Sequence, residues 1–336
     1  MRIAVFEAEP WECREFEKLR PEFDVNCYNQ PLTATNAPCH ADAEAISIFI
    51  YSRLDSWTLK QLKKLRLIAT RSTGYDHIDM DYCRENRITV SNVPVYGSHT
   101  VAEHVFGLIL MIGHRLYESI DRTRKADFSQ EGLRGFDIRS KTLGVIGTGL
   151  IGRHVIEIAG GFHMEVAAYD PRPDPELAAR LGFTYTGLDE LLEKSDIVSL
   201  HVPANRQTFH LLSTQQFAKM KEGAVLINTA RGSLVDIEAL LHALAEGKVC
   251  AAGLDVLPEE PVIREEAELL SSFFHRAHDM STLLANHILL RMRNVYITPH
   301  NAFNTREAVE RILATTIDSI KAFVRGKPVN VVSDNK

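Results

Sequence analysis

The sequence predicts an α/β protein of two parallel-sheet lobes, one inserted into the other. Strand-like apolar segments alternate with helical segments from end to end, the pattern of a parallel sheet with helices on both faces. A glycine-spaced turn, Gly147-Thr-Gly149-Leu-Ile-Gly152, lies mid-chain, after a complete βα series of its own. A final helical segment, Thr305–Arg325, follows the last strand of the lobe that carries this turn. The simplest reading is a discontinuous, flavodoxin-like outer lobe of residues 1–98 and 302–336, with a Rossmann-like lobe of residues 99–301 inserted into it. Connections near Ser98 and Asn301 would let a cleft open and close by hinge motion.

The elements follow in order. Arg2–Glu7 reads as a strand and Pro10–Leu19 as a helix. Ala45–Tyr51 is nearly all apolar and reads as a buried strand, followed by a helix over Thr58–Leu65. Leu67–Ser72 and Thr89–Asn92 are short strands, and His99–His114 is a strongly apolar helix. Phe128–Phe136 breaks the pattern with two glycines and is expected to wrap the surface. A strand leads into the glycine turn, and Glu165–Tyr169, Ile197–Val202, Ala224–Asn228, Val249–Asp255 and Val295–Thr298 are the later strands.

Composition sets limits. At 336 residues the chain is comfortable for two domains, and 45% hydrophobic with 24% charged residues is ordinary for a soluble protein. A net charge of −6 argues against general affinity for nucleic acid or acidic membranes. Five cysteines without a CxxC fit reduced thiols in the cytoplasm better than disulfides, and Cys39-His40 lacks a second pair, so no metal is expected. The N-terminus starts directly as a strand, so no targeting signal is expected. The longest apolar run, Val105–Gly113, is far short of the roughly 20 residues a membrane span needs.

The chemistry begins at the glycine turn. One glycine permits the tight turn, one lets backbone approach a pyrophosphate, and one lets helix pack on strand. Leu150 and Ile151 open a helix whose N-terminal N–H groups and dipole favour phosphate. Asp170 ends the next strand, suited to a ribose 2′-hydroxyl and repulsive to a 2′-phosphate. The cofactor is therefore expected to be NAD rather than NADP, with Arg172 the one nearby residue that could soften the preference. Three polar residues then sit past predicted strand ends: Arg231, Glu260 and His300. Ligands bind at that edge of open α/β sheets. An arginine fork can hold a carboxylate, an imidazolium can give a proton to a keto oxygen as hydride arrives, and a carboxylate favours the charged imidazole.

With these residues in place, the chain resembles the D-2-hydroxyacid dehydrogenase family over nearly its whole length, and within it the D-lactate branch. Asn228-Thr-Ala-Arg231-Gly-Ser-Leu-Val-Asp236 is similar to the family's arginine motif, and Thr298-Pro-His300 to its histidine motif. Gly253-Leu-Asp255-Val-Leu-Pro-Glu-Glu260-Pro resembles the segment carrying its acidic residue, and the spacing from Asp255 selects Glu260. The resemblance implies His300 as acid/base, Glu260 as its supporting carboxylate and Arg231 on the substrate carboxylate. It places Val202, Pro203, Thr208, Thr229, Ala230, Arg231, Asp255 and His300 along the cofactor. Narrower likenesses around Tyr51-Ser-Arg-Leu-Asp55, Asn92-Val-Pro-Val-Tyr96 and Pro299-His300-Asn-Ala-Phe303 imply that Tyr51, Tyr96 and Phe303 line a small substrate pocket. Thr73 and Gly74 sit where the family offers backbone N–H groups to the substrate.

The expected function is interconversion of pyruvate and D-lactate with NAD. The alternatives are D-glycerate or a longer 2-keto acid as substrate, or a corepressor-like NAD(H)-binding protein. The resemblance also implies a homodimer through the NAD-binding lobe, with His99–Met111 either a contact helix or a buried one. Leu257-Pro258, Asn301, Asn304 and residues 262–293 depart from the branch.

Overall fold

The computed structural model describes residues 1–258 and 280–332. The chain divides into two units, Met1–Tyr96 with Asn304–Lys336, and Gly97–Phe303.

In the first unit β1 (Arg2–Val5), β2 (Asp24–Cys27), β3 (Ala45–Ile48), β4 (Leu67–Thr70) and β5 (Thr89–Ser91) form one parallel sheet in the order β2-β1-β3-β4-β5. This is the flavodoxin-like order. Ala4, Ile46, Ile68 and Val90 bury one face of it with Leu54, Leu59 and Leu62. The helix Arg306–Val324 packs on β4. Its buried Val309, Ile312, Leu313, Ile317 and Ile320 recur at three- and four-residue steps, and the Thr305 hydroxyl caps its start.

In the second unit β6 (Thr142–Ile146), β7 (Glu165–Tyr169), β8 (Thr184–Tyr185), β9 (Ile197–Leu200), β10 (Ala224–Asn228), β11 (Val249–Leu254) and β12 (Val295–Ile297) form a second parallel sheet. Its order is β12-β11-β10-β9-β6-β7-β8. Strand order reverses between β6 and β9, so the glycine turn after β6 lies at the topological switch point. The central strands β6, β9 and β10 are buried on both faces, as parallel strands covered by helices must be. In β10, Val225 and Ile227 join one core cluster, while Ala224 and Leu226 join the other.

Some elements differ from the sequence reading. The strand expected to reach Tyr51 stops at Ile48, because the Phe49 and Tyr51 N–H groups turn to the Glu7 carboxylate instead of a neighbouring strand. The helix expected over Thr58–Leu65 runs Ser56–Lys60, because Asp55 caps it by accepting from the Thr58 N–H. β2 and the helices Met80–Glu85 and Leu116–Arg124 were not expected. Each is short, and Asp-Val-Asn-Cys offers no apolar run to read. The helix Ser98–Gly113 buries Val101, Ala102, Val105, Phe106, Leu108, Ile109 and Ile112 inside its own unit, while Glu103 and Gly107 on the same helix are exposed. No helix among the described residues is long and apolar enough to cross a membrane.

Candidate active site

Because the second sheet is wholly parallel, the loops leaving the C-terminal ends of its strands share one edge. Read across the sheet from β12 to β7, they carry His300, Asp255, Arg231, Val202 with Pro203, the glycine turn, and Asp170.

At the turn, Gly147 has φ +99°, and a Cβ there would stand 2.7 Å from the His201 carbonyl oxygen. Gly152 lies so close beneath the turn that a Cβ would meet the Gly147 carbonyl oxygen at 2.0 Å. Gly149 is the N-cap of the helix Leu150–Gly161 and makes no side-chain cap, and a Cβ there would meet nothing within 4 Å. Open space before an uncapped helix N-terminus is what a bound pyrophosphate requires. Leu150 is exposed at this helix start and Ile151 is half-buried.

Asp170 follows β7. Its Oδ2 accepts from the Thr148 N–H at 2.9 Å and the Thr148 hydroxyl at 3.0 Å, and its Oδ1 accepts from the Arg172 N–H at 2.9 Å. Burial opposes the charge, but these donors outweigh it and hold the carboxyl below the usual carboxylate range. The Tyr185 hydroxyl meets the Thr148 hydroxyl at 2.8 Å and completes the network.

After β9, Val202 is half-buried and Pro203 exposed. Thr208 closes this loop by donating to the Pro203 carbonyl at 2.6 Å. His201, which sequence reasoning passed over, pairs its Nε2 with the Ser199 hydroxyl at 2.8 Å. Its buried Nδ1 has no partner among the described residues, and burial pushes its pKa down to about 3.

After β10, the buried Asn228 side chain pins the next loop. It accepts from the Ala230 N–H at 3.0 Å and donates to the Arg231 carbonyl at 2.9 Å. The Arg231 guanidinium donates to the Ala230 carbonyl at 2.8 Å. The Thr229 hydroxyl oxygen is buried at this edge without a partner among the described residues. Together with the open turn and the charged Asp170, this orphaned donor fits a site built for a nucleotide cofactor.

After β12, His300 takes φ +53°, a left-handed conformation uncommon outside glycine. Asp255, 1% exposed at the end of β11, holds its loop. One oxygen accepts from the Thr298 hydroxyl at 2.5 Å and the Asn301 N–H at 2.9 Å, and the other from the Ala302 N–H at 2.9 Å. The His300 N–H donates to the Asp255 carbonyl at 3.0 Å. His104 lies behind, with Nε2 3.1 Å from the Thr298 hydroxyl, and burial lowers its pKa against the pull of Asp255. Both carboxylate oxygens of Asp255 thus serve the His300 loop. Phe303 is half-buried at its end. Glu260 lies outside the described residues.

In the first unit Tyr51, Thr73 with Gly74, and Tyr96 follow β3, β4 and β5, so they too share one sheet edge. Tyr51 and Tyr96 are half-buried rather than core residues. The Thr73 loop is pinned by its hydroxyl on the Val93 carbonyl at 2.7 Å and by the Asn92 amide on the Thr73 carbonyl at 2.8 Å.

Residues 106–302, more than half the chain, match the model of the D-isomer specific 2-hydroxyacid dehydrogenase NAD-binding domain. The chain belongs to the D-isomer specific 2-hydroxyacid dehydrogenase family. It is therefore an oxidoreductase of that family, and its cofactor is NAD. It is 35% identical to a 2-hydroxyacid dehydrogenase homolog of Haemophilus influenzae, over 97% of both chains. It is 34% identical to the D-lactate dehydrogenase of Escherichia coli, over 97% of this chain and 98% of that one. Among solved structures it is similar to the D-lactate dehydrogenase from Aquifex aeolicus complexed with NAD and lactic acid. The TM-score is 0.87 and the identity 37%, covering 97% of this chain and 96% of that chain. As a member of the family the protein has the expected fold, two parallel α/β sheets.

Proposed function

We propose that this dehydrogenase interconverts pyruvate and D-lactate, with His300 as the acid/base. The observation that carries the reading is the His300 loop. A histidine in a strained conformation, held by a buried carboxylate two strands from Arg231, is a preorganised group rather than a surface side chain. NAD(H), when bound, supplies or takes the hydride. Arg231 holds the substrate carboxylate by its planar fork and polarises the keto oxygen. His300 gives its proton to that oxygen during reduction and takes it back during oxidation. Glu260 supports the charged imidazole on the strength of its motif. Gly147, Gly149, Leu150, Ile151 and Gly152 hold the pyrophosphate, Asp170 the ribose, and Val202, Pro203, Thr208, Thr229, Ala230 and Asp255 the rest of the cofactor edge. Tyr51, Thr73, Gly74, Tyr96 and Phe303 contact the substrate, and the bulk of Tyr51 and Phe303 favours a short side chain.

We further propose a homodimer through the NAD-binding unit. Leu116, Tyr117, Ile120 and Phe128 are exposed on this unit, Phe128 at 79%. The test of the activity is a panel of 2-keto acids assayed with NADH and with NADPH. Pyruvate with NADH is expected to give the highest kcat/KM. A preference for a longer or more polar acid keeps the dehydrogenase and removes the lactate assignment, and NAD(H) binding without turnover of any acid favours the corepressor-like reading.

A further inference from the structure

Glu7 lies just past β1, at the C-terminal edge of the first sheet, and no motif draws attention to it. Its backbone is left-handed, with φ +55°, a conformation uncommon outside glycine. Its carbonyl is held by Arg71, a residue only 2% exposed, whose guanidinium donates to the Glu7 carbonyl at 2.7 Å and the Phe6 carbonyl at 2.8 Å. The Glu7 N–H is taken by the Gln30 carbonyl at 3.1 Å. So anchored, the side chain reaches over β3, the neighbouring strand, into the loop that follows it. Oε1 accepts from the Tyr51 N–H at 2.7 Å. Oε2 accepts from the Phe49 N–H at 2.9 Å and the Ser52 hydroxyl at 2.5 Å. Ser52 is fully buried and itself accepts from the Leu32 N–H at 2.9 Å. The Phe49 and Tyr51 rings meet edge to face, with centroids 6.1 Å apart.

This is the device that Asp255 applies to the His300 loop: a carboxylate past one strand, holding two N–H groups and one hydroxyl of the loop past the next. We infer that Glu7 is a positioning residue for substrate specificity: by fixing the Phe49–Ser52 loop it sets where the Tyr51 ring stands, and so the size of 2-keto acid side chain admitted. The inference rests on the reading of Tyr51 as a pocket wall. Glu7 touches no reacting atom. Its effect is on discrimination between acids, not on hydride transfer itself.

The test is a double-mutant cycle on the full chain. Glu7→Gln keeps the shape but turns an amide NH2 toward a loop donor, so one of the three bonds is lost. Ser52→Ala removes one donor and leaves the carboxylate, as a milder variant should Glu7→Gln fold poorly. The readout is the ratio of kcat/KM for 2-ketoisocaproate to that for pyruvate, with NADH affinity measured separately. Glu7→Gln is expected to raise the ratio about fivefold to tenfold, mainly through KM, with NADH affinity unchanged. Ser52→Ala is expected to move it the same way by less. In a Tyr51→Leu background, Glu7→Gln is expected to add nothing further. An unchanged ratio in folded Glu7→Gln and Ser52→Ala overturns the inference, as does an equal shift with or without the Tyr51 ring. If Tyr51→Leu alone leaves the ratio unmoved, the pocket-wall reading itself fails, and that single variant identifies the cause.

Discussion

The loop after β3 and the loop after β12 are held by the same kind of clamp at different depths. Asp255 is 1% exposed and serves a loop in which the histidine itself carries the strained backbone. Glu7 is half-buried, and there the clamping residue itself is left-handed while no residue of the 49–52 loop it holds has a positive φ. A buried clamp that fails leaves N–H groups with no water to replace it, whereas a half-exposed one can be partly replaced by solvent. The comparison therefore separates two kinds of consequence. Loss at the second sheet should damage turnover and stability, and loss at the first should damage selectivity.

The largest effect is expected at the group the buried clamp presents. His300→Ala should lower kcat by about 10²- to 10⁴-fold, the usual worth of a positioned acid/base, while NADH affinity stays nearly intact. Steady-state kinetics with fluorescence titration of NADH checks both halves. A variant within threefold of wild type would mean that His300 is held in place for another reason.

The clamp itself comes next. Asp255→Asn should destabilise the fold by about 1–3 kcal/mol, because an amide NH2 must face the Asn301 or Ala302 N–H, or displace the Thr298 hydroxyl. Denaturant unfolding measures this, and a parallel fall in kcat should accompany it. The same measurement on Glu7→Gln should show the smaller loss. Equal losses would break the comparison by depth.

The smallest effect concerns pH. The His201 imidazole has a folded pKa lowered from 6.5 to about 3 by burial, so the unfolded chain binds the proton more tightly. Its contribution to stability is complete above pH 6.5 and is lost progressively as pH falls toward 3. His201→Gln should flatten the fall in Tm across that window relative to wild type. Identical pH profiles would show that this ring is not kept neutral by the fold.

Much of the candidate site was legible in the sequence because its residues lie just past strand ends. The run into Gly147, the strand Ala224–Asn228 before Arg231 and the strand before His300 are apolar segments that stop just before the candidate residues, and a parallel sheet aligns such stops along one edge. Asp170 was legible for the same reason. The contacts that hold these residues were not. Glu7 clamps a loop 42 to 45 residues away, and Asp255 a loop 43 to 47 residues away. No local periodicity records such a pairing. Thr148 and Tyr185 behind Asp170, and His104 behind Thr298, are hidden likewise, because their partners are fixed only once strands are neighbours. The early end of β3 has the same origin: its last N–H groups are diverted by a carboxylate from another strand.

The proposed reduction at His300 and Arg231 turns a small, achiral 2-keto acid into the D-2-hydroxy acid. Its most direct test is the chirality of the product formed from pyruvate and NADH by the purified protein, read by chiral chromatography. The account predicts NADH-dependent formation of D-lactate alone. L-lactate, a racemic mixture, or no lactate at saturating pyruvate would contradict it.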